Sequence, residues 1–105
     1  MAAIAFAASV PMMPYHGARI ASVSTSPISI GVPGGDRGPV VLDMATSVAS
    51  MGKLVQDRKT GAAITPGWAI DEQGRPPTDS SAAVTPLPLG GPKGSGLARR
   101  GDVSY

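Results

Sequence analysis

Three short apolar runs divide the first half of the chain. Ala2–Val10 is apolar except for one serine and ends at Pro11, Ile28–Val32 begins with alternating apolar and polar residues, and Val40–Leu42 ends on Asp43. Short apolar runs bounded by turn residues predict β-strands, and a continuously apolar run predicts a strand covered on both faces. We therefore expect a strand at each of the three positions, with the first one buried.

The residues after Asp43 pass into a helical pattern. Four apolar positions are spaced to share one helix face: Val48, Met51, Leu54 and Val55. Thr46 is the predicted N-cap and Gly61 the predicted left-handed C-cap, which places the helix at residues 47–59. A strand that ends where a helix begins leaves backbone N–H groups facing any anionic ligand, so residues 40–53 are a candidate binding site.

Glycine and proline separate these elements. The chain of 105 residues has 14 glycines and 11 prolines, placed mostly between apolar runs, as in the predicted turn Pro33–Asp36. Hydrophobic residues make up 42% and charged residues 15%, which indicates one small domain or a piece of a larger one rather than a disordered chain. Pro27 also predicts an extended backbone at Ser26.

Charge and residue types exclude several functional classes. The net charge is only +2, and the basic pair Arg99–Arg100 has no interleaved aromatic residue, so no nucleic-acid partner is expected. The absence of cysteine and the single histidine, His16, argue against a metal site and are compatible with a cytoplasmic location. His16 is expected to be a loop residue without a catalytic role. The Ala2–Val10 run is far shorter than the about 20 residues of a membrane-spanning helix, so no membrane association is expected.

A second candidate site is the glycine-rich stretch Leu87–Leu97, LPLGGPKGSGL. Its backbone N–H groups and the Lys93 ammonium would converge on an anion such as a phosphate. Pro92 before the lysine and Gly94 after it exclude a Walker A loop, and Arg99 replaces the third glycine of a dinucleotide fingerprint. From these residues alone, an anion-binding loop and a flexible linker with an exposed lysine are equally open.

Several motifs taken together resemble one enzyme family. Ser24–Pro27 resembles its G-T-N-P segment, Leu42–Ser47 its L-D-M-A-T-S segment followed by G-K, and Leu87–Leu97 its L-P-L-G-G-x-K-G-x-G-L segment. Residues 66–71 and 74–79 look like its P-x-G-W-A-L-D and G-x-P-T-T-D segments. In order and spacing these stretches are similar to the malate/L-lactate dehydrogenase family, which includes ureidoglycolate dehydrogenase, and the resemblance covers residues 2–98.

The resemblance implies an α+β fold: a fragment of a mainly antiparallel, non-Rossmann cofactor-binding domain with one or two helices. Residues 1–98 would form this partial domain, and residues 99–105 a divergent tail in which the family's apolar helix breaks off. The implied activity is that of an oxidoreductase that uses NAD or NADP on a small 2-hydroxy or 2-oxo acid of the malate, lactate or ureidoglycolate type. A family-like homo-oligomer is also left open.

Carried over by position, the resemblance assigns five cofactor contacts and one substrate contact. The cofactor-binding residues are Ser9, Asp43, Met44, Ala45 and Lys93, and the substrate-binding residue is Thr25. Judged by residue type alone, a small polar residue tolerated in a core is the favoured interpretation of Ser9, over a hydroxyl that faces a ligand at the C-terminal end of the strand. The family's acid/base histidine and substrate-clamping arginine lie upstream of the matched region, so no catalytic residue is assigned. The alternative to an inactive enzyme fragment is a non-catalytic nucleotide- or anion-binding module, or an inactive remnant.

Overall fold

The computed structural model describes residues 1–77 and 79–102, and within them the chain forms two antiparallel sheets and two α-helices. The strands are β1 (Ala3–Phe6), β2 (Ile28–Val32), β3 (Val40–Met44), β4 (Ala69–Ile70) and β5 (Thr85–Pro86). The α-helices are α1 (Met51–Thr60) and α2 (Pro92–Asp102), and short 3-10 helices lie at Gly35–Arg37 and Ser80–Ala82. Thr78 of the G-x-P-T-T-D-like stretch and the last three residues of the predicted tail lie outside the described residues.

The larger sheet has the strand order β1-β2-β3, with both neighbouring pairs antiparallel. All three predicted strands are present and β2 has the predicted bounds, but β1 ends at Phe6 instead of continuing to Val10. The predicted turn between β2 and β3 is confirmed, since the short 3-10 helix Gly35–Arg37 joins the two strands. The turn is tight, because a Cβ at Gly34 would collide with the carbonyl oxygen of Gly38. A side chain at this position would therefore open the turn.

The two faces of this sheet differ in chemistry. One face, which we call the apolar face, carries large hydrophobic side chains from all three strands: Ile4, Phe6, Ile28, Ile30, Val32, Val40, Leu42 and Met44. The opposite, small-residue face carries Ala3, Ala5, Ser29, Gly31, Val41 and Asp43. All four residues of β1 are exposed, so the expectation that its two faces are covered is wrong for this chain. Neither buried hydrophobic cluster includes a residue of this sheet.

The buried side chains form two small clusters that hold the helices in place. Around α1, the first cluster comprises Ala49, Leu54, Ile64, Ala69 and Ala83, with Met51 and Trp68 packed against it. The second joins Ala98 of α2 to Met13 and Val23, two residues that also form an antiparallel bridge. Trp68 therefore packs its loop against the core.

The helix after β3 begins later than the sequence predicts. Its N-cap is Ser50, whose side chain accepts a hydrogen bond from the Lys53 N–H, so the assignment of Thr46 as N-cap is wrong. The predicted C-cap is confirmed, since Gly61 has a φ of 69° and a ψ of 19°. Leu54 is fully buried on the predicted apolar face, whereas Val55 remains partly exposed at 38%.

Two further expectations need correction. Ser26 has a φ of +22°, so the extended backbone predicted before Pro27 is wrong at this residue. Helix α2 continues through Asp102 instead of breaking off after Leu97, because Ala98 is fully buried against the Met13–Val23 bridge. No helix among the described residues is long and apolar enough to cross a membrane.

Candidate functional site

Thr46 lies where three of the matched motifs meet. Its backbone N–H and its hydroxyl both donate to the carbonyl oxygen of Thr25, at 2.8 and 2.7 Å. The N–H of Leu89, at the start of the glycine-rich turn, donates to the Thr46 carbonyl oxygen at 2.8 Å. Thr46 is only 1% exposed, so these bonds form away from water. The end of β3, the Ser24–Pro27 turn and the glycine-rich stretch are therefore one connected unit.

Asp43 borders a shallow cavity at the end of the sheet where β1 ends and β2 begins. It lies opposite Ser29 in the β2–β3 pair, and Ala5 lies opposite Ser29 in the β1–β2 pair. The cavity has a volume of about 150 Å³, and its lining is Ala5, Phe6, Ala7, Pro27, Ser29 and Asp43. The cavity thus combines two polar side chains, Ser29 and Asp43, with an otherwise apolar lining.

Met44 and Ala45 do not join Asp43 at this cavity. Successive residues of a strand point to opposite faces, and Met44 accordingly lies on the apolar face, opposite Ile28. Ala45 follows the last residue of β3, and both residues are partly buried. The structure therefore separates the three consecutive predicted contacts, and only Asp43 lines the cavity.

Ser9 and Thr25 are connected through Ser24. The Ser9 hydroxyl donates to the Ser24 hydroxyl at 3.4 Å, and Thr25 follows Ser24 in the chain. Ser9 is exposed and lies after the end of β1, so it is a surface residue and not a polar residue tolerated in a core. Ser9 therefore contacts the Ser24–Pro27 turn, and the Thr25 carbonyl of the same turn is bonded to Thr46.

Lys93 is the second residue of α2, which begins at Pro92. A proline suits the first position of a helix because its missing N–H would have no partner there. The lysine is exposed, and within the described part of the chain it forms no ion pair. Its ammonium therefore adds to the positive end of the helix dipole. The glycine-rich stretch is a turn followed by a helix rather than a linker.

Two side chains near the connected unit have contacts that the sequence does not reveal. The His16 N–H donates to the Ser95 hydroxyl at 2.7 Å, and the His16 ring lies against Gly91, where a Cβ would come within 3.1 Å of it. His16 is an exposed loop residue, as predicted, but its loop is attached to the first turns of α2. No local pattern indicates a contact between residues this far apart in the chain.

A buried acidic residue on α1 was also not singled out by the sequence. Asp57 is 3% exposed and forms an ion pair with Lys53, whose ammonium lies 5.9 Å from the centroid of the Trp68 ring. The spacing of four residues between lysine and aspartate is the signal that would have indicated this pair. Because Lys53 is held by these neighbours, it is directed toward its own helix and the Trp68 loop.

Comparisons with known proteins bear on this arrangement. A family model described as malate/L-lactate dehydrogenase matches residues 1–103. A Delta(1)-pyrroline-2-carboxylate/Delta(1)-piperideine-2-carboxylate reductase of Pseudomonas aeruginosa is 44% identical over 84 residues, which are 78% of this chain and 25% of the relative. The ureidoglycolate dehydrogenase (NAD(+)) of Escherichia coli K12 is 39% identical over 95% of this chain and 29% of its own length. A (2R)-3-sulfolactate dehydrogenase (NADP(+)) of Chromohalobacter salexigens is 35% identical, over 93% of this chain and 30% of its own.

The fold is shared with solved structures. A dehydrogenase from Sinorhizobium meliloti superposes with a TM-score of 0.86 at 40% sequence identity, over 94% of this chain and 30% of that protein. The chain thus spans about a quarter to a third of the length of the relatives it matches. Both NAD- and NADP-dependent enzymes are among these relatives.

Proposed function

The chain belongs to the malate/L-lactate dehydrogenase family of oxidoreductases, and on that premise we propose that it supplies part of the nicotinamide-cofactor site of an enzyme acting on small 2-hydroxy or 2-oxo acids. Because it spans about a quarter of the reductase from Pseudomonas aeruginosa, the proposal concerns binding and not a complete catalytic cycle. A non-Rossmann cofactor domain and a cytoplasmic location belong to the same proposal.

The hydrogen bonding of Thr46 is the observation that carries the proposal. Thr25 and Thr46 are 21 residues apart in the chain, and Leu89 lies farther still, yet both bond directly to Thr46. Each of the three residues belongs to a motif assigned to substrate or cofactor. Since side chains that act on one bound pair of molecules must lie close together, this convergence supports a common site for cofactor and substrate.

The residues present suit a nicotinamide cofactor. The cavity beside Asp43 has an apolar floor and two polar side chains, which matches a flat ring or a sugar with a few hydroxyl or amide groups. Its volume of about 150 Å³ accommodates only part of a dinucleotide. Lys93 is exposed at the positive end of α2, where its ammonium would bind the cofactor's phosphates.

The chain's own contribution is to bind and orient the cofactor and the substrate. When bound, a nicotinamide cofactor exchanges a hydride with the carbon that carries the substrate oxygen. We assign Asp43 and Lys93 to holding the cofactor, with Ser9, Met44 and Ala45 as further contacts, and Thr25 to the substrate. None of these residues is assigned as the acid or base for the substrate oxygen.

Titration of the chain with NADH and NADPH, followed by nicotinamide fluorescence, tests the proposal. Specific binding that is lost in Lys93→Ala and retained in Lys59→Ala would support it, because Lys59 is a lysine in the last turn of α1 and lies outside the matched motifs. The proposal is wrong if the unmodified chain binds neither cofactor.

The rate of substrate oxidation provides an independent check that the chain binds the cofactor but does not catalyse the reaction. The chain alone is expected to oxidise malate, lactate or ureidoglycolate with NAD or NADP at no more than a negligible rate. A rate that disappears in Lys93→Ala would show that the chain does contain an acid or base, and it would overturn this assignment.

A further inference from the structure

Ser26 combines two features that rarely occur together at a serine. Among the described residues it is the one non-glycine residue with a positive φ, at +22°, and it is 1% exposed. Residues other than glycine, asparagine and aspartate adopt this conformation at an energetic cost and keep it only where the surroundings enforce it. Such strain is concentrated at functional sites.

Two hydrogen bonds of Ser26 hold this conformation, one to helix α2 and one within the turn itself. The Ser26 hydroxyl donates to the carbonyl oxygen of Ala98 in α2 at 3.0 Å. Its backbone N–H donates to the Ser24 hydroxyl at 2.8 Å, and the same hydroxyl accepts from Ser9 at 3.4 Å. The turn at residues 24–26 is therefore attached to α2 through Ser26 and, through Ser24, to Ser9 in the segment that follows β1.

Thr25 stands between these two serines, and its carbonyl oxygen accepts both hydrogen bonds from Thr46. A rotation of the backbone at Ser26 would turn the Thr25 peptide and carry this oxygen away from Thr46. Thr46 in turn follows Ala45 directly, so its position determines where the end of β3 lies. Ser26 thus acts on the candidate site without contacting the cavity beside Asp43.

We propose that Ser26 is a positioning residue. Its hydrogen bond to Ala98 and its left-handed backbone hold Thr25 against Thr46, and they also hold α2, which carries Lys93, in a fixed position relative to the end of β3. The inference rests on the proposed function, because it gives the connected unit a cofactor to bind. It adds a residue that holds the substrate segment and the cofactor segment together.

Ser26→Ala tests the proposal, with Ser80→Ala as a matched control. Ser80 is also 1% exposed, and its hydroxyl donates to a helix carbonyl oxygen, that of Asp57, at 3.1 Å. Loss of one hydrogen bond corresponds to about a tenfold change in an equilibrium constant. We therefore expect amide exchange at Thr46 to become about tenfold faster relative to that at Leu54 in Ser26→Ala, and no such rise in Ser80→Ala.

Cofactor affinity is the second readout, and a purely structural serine would not change it selectively. The dissociation constant for NADH is expected to rise about tenfold in Ser26→Ala and to stay unchanged in Ser80→Ala.

If Ser26→Ala does not fold, Ser26→Gly replaces it, since glycine adopts the backbone conformation freely but lacks the hydroxyl. An exchange ratio or an NADH affinity equal to that of the unmodified chain in the variant that folds would overturn the proposal. If the unmodified chain binds no cofactor, the proposed function fails, and the exchange ratio alone decides whether Ser26 fixes Thr25.

Discussion

Gly94 lies at the closest approach between helix α2 and the loop that precedes it. A Cβ at this position would collide with the backbone of Leu89, whereas a Cβ at Gly96 would meet nothing within 4 Å. Gly94→Ala should therefore displace the helix and weaken the hydrogen bond from Leu89 to Thr46, at a cost of about 1–3 kcal/mol in the free energy of unfolding. Urea unfolding measures this loss.

Gly96→Ala is the control for this substitution, because it makes the same change in the same helix. It is expected to raise the free energy of unfolding by up to about 1 kcal/mol, since alanine favours the helix more than glycine does. Equal effects of the two substitutions would show that α2 does not press on Leu89. Lys93 follows the displaced helix, so Gly94→Ala should also weaken NADH binding, which the fluorescence titration measures.

The start of α1 shows what single residues reveal in a sequence. Serine and threonine are both favoured N-caps, and the chain offers Thr46, Ser47 and Ser50 before the helix. Tertiary contacts decide among them, because Thr46 is bonded to Thr25 and Leu89 and Ser47 pairs with Pro88 in an antiparallel bridge. Ser50 therefore accepts from the Lys53 N–H as the N-cap. The sequence therefore predicts that a helix follows β3, but not where the helix begins.

Among the elements, the strands are more visible in the sequence than the second helix. The strands of the larger sheet follow from short apolar runs between turn residues. Helix α2 contains three glycines, each of which disfavours a helix by about 1 kcal/mol relative to alanine, so its sequence does not predict it. Ala98 in the Met13–Val23 cluster and the bond from Ser26 hold it in place, and neither contact has a local signal.

The N-cap of the short helix at Ser80–Ala82 makes the free energy of unfolding depend on pH. The Asp79 carboxylate accepts a hydrogen bond from the Ser81 N–H at 2.8 Å, and this bond lowers the pKa of Asp79 below its ordinary value. A carboxyl group whose pKa is lowered by folding stabilises the folded state above its ordinary pKa. This contribution is lost as the pH falls from about 5 through the lowered pKa.

Asp79→Asn should therefore reduce the loss of stability in acid. Asparagine is an equally good cap but does not titrate, so the free energy of unfolding should change little at pH 7 and fall less between pH 7 and pH 3. Asp79→Ala, which removes the cap, should be less stable at pH 7. Parallel pH profiles for Asp79→Asn and the unmodified chain in urea unfolding would contradict this account.

Asp71 contributes in the same direction, so Asp79→Asn is not expected to abolish the acid dependence. The N–H groups of Arg75 and Gln73 and the Arg75 guanidinium all lower the pKa of Asp71, with the Arg75 N–H as the largest cause. Combining Asp71→Asn with Asp79→Asn should flatten the profile further.

At the scale of the whole molecule, the sheet extends away from the two buried clusters. The radius of gyration is 15.1 Å, compared with about 13 Å for a compact domain of 100 residues. Large side chains on the apolar face are exposed by 40–62%: Ile4, Phe6, Val32, Val40 and Leu42. The sequence correctly identifies these residues as strand-forming, but periodicity cannot tell whether another element covers them.

The uncovered apolar face predicts that the chain associates with itself or is poorly soluble, because contiguous exposed apolar surface of this kind is rare on monomers. Val40 and Val41 offer a matched test, since they are neighbours on the edge strand β3, are 62% and 61% exposed, and point to opposite faces.

Val40→Lys should shift the chain toward the monomer in light scattering, because it places a charge on the apolar face. Val41→Lys puts the same charge on the same edge strand, but on the small-residue face, and should leave the association unchanged. Equal effects of both substitutions would mean that the chains pair through the open edge of β3. A monodisperse monomer of the unmodified chain would contradict the prediction outright.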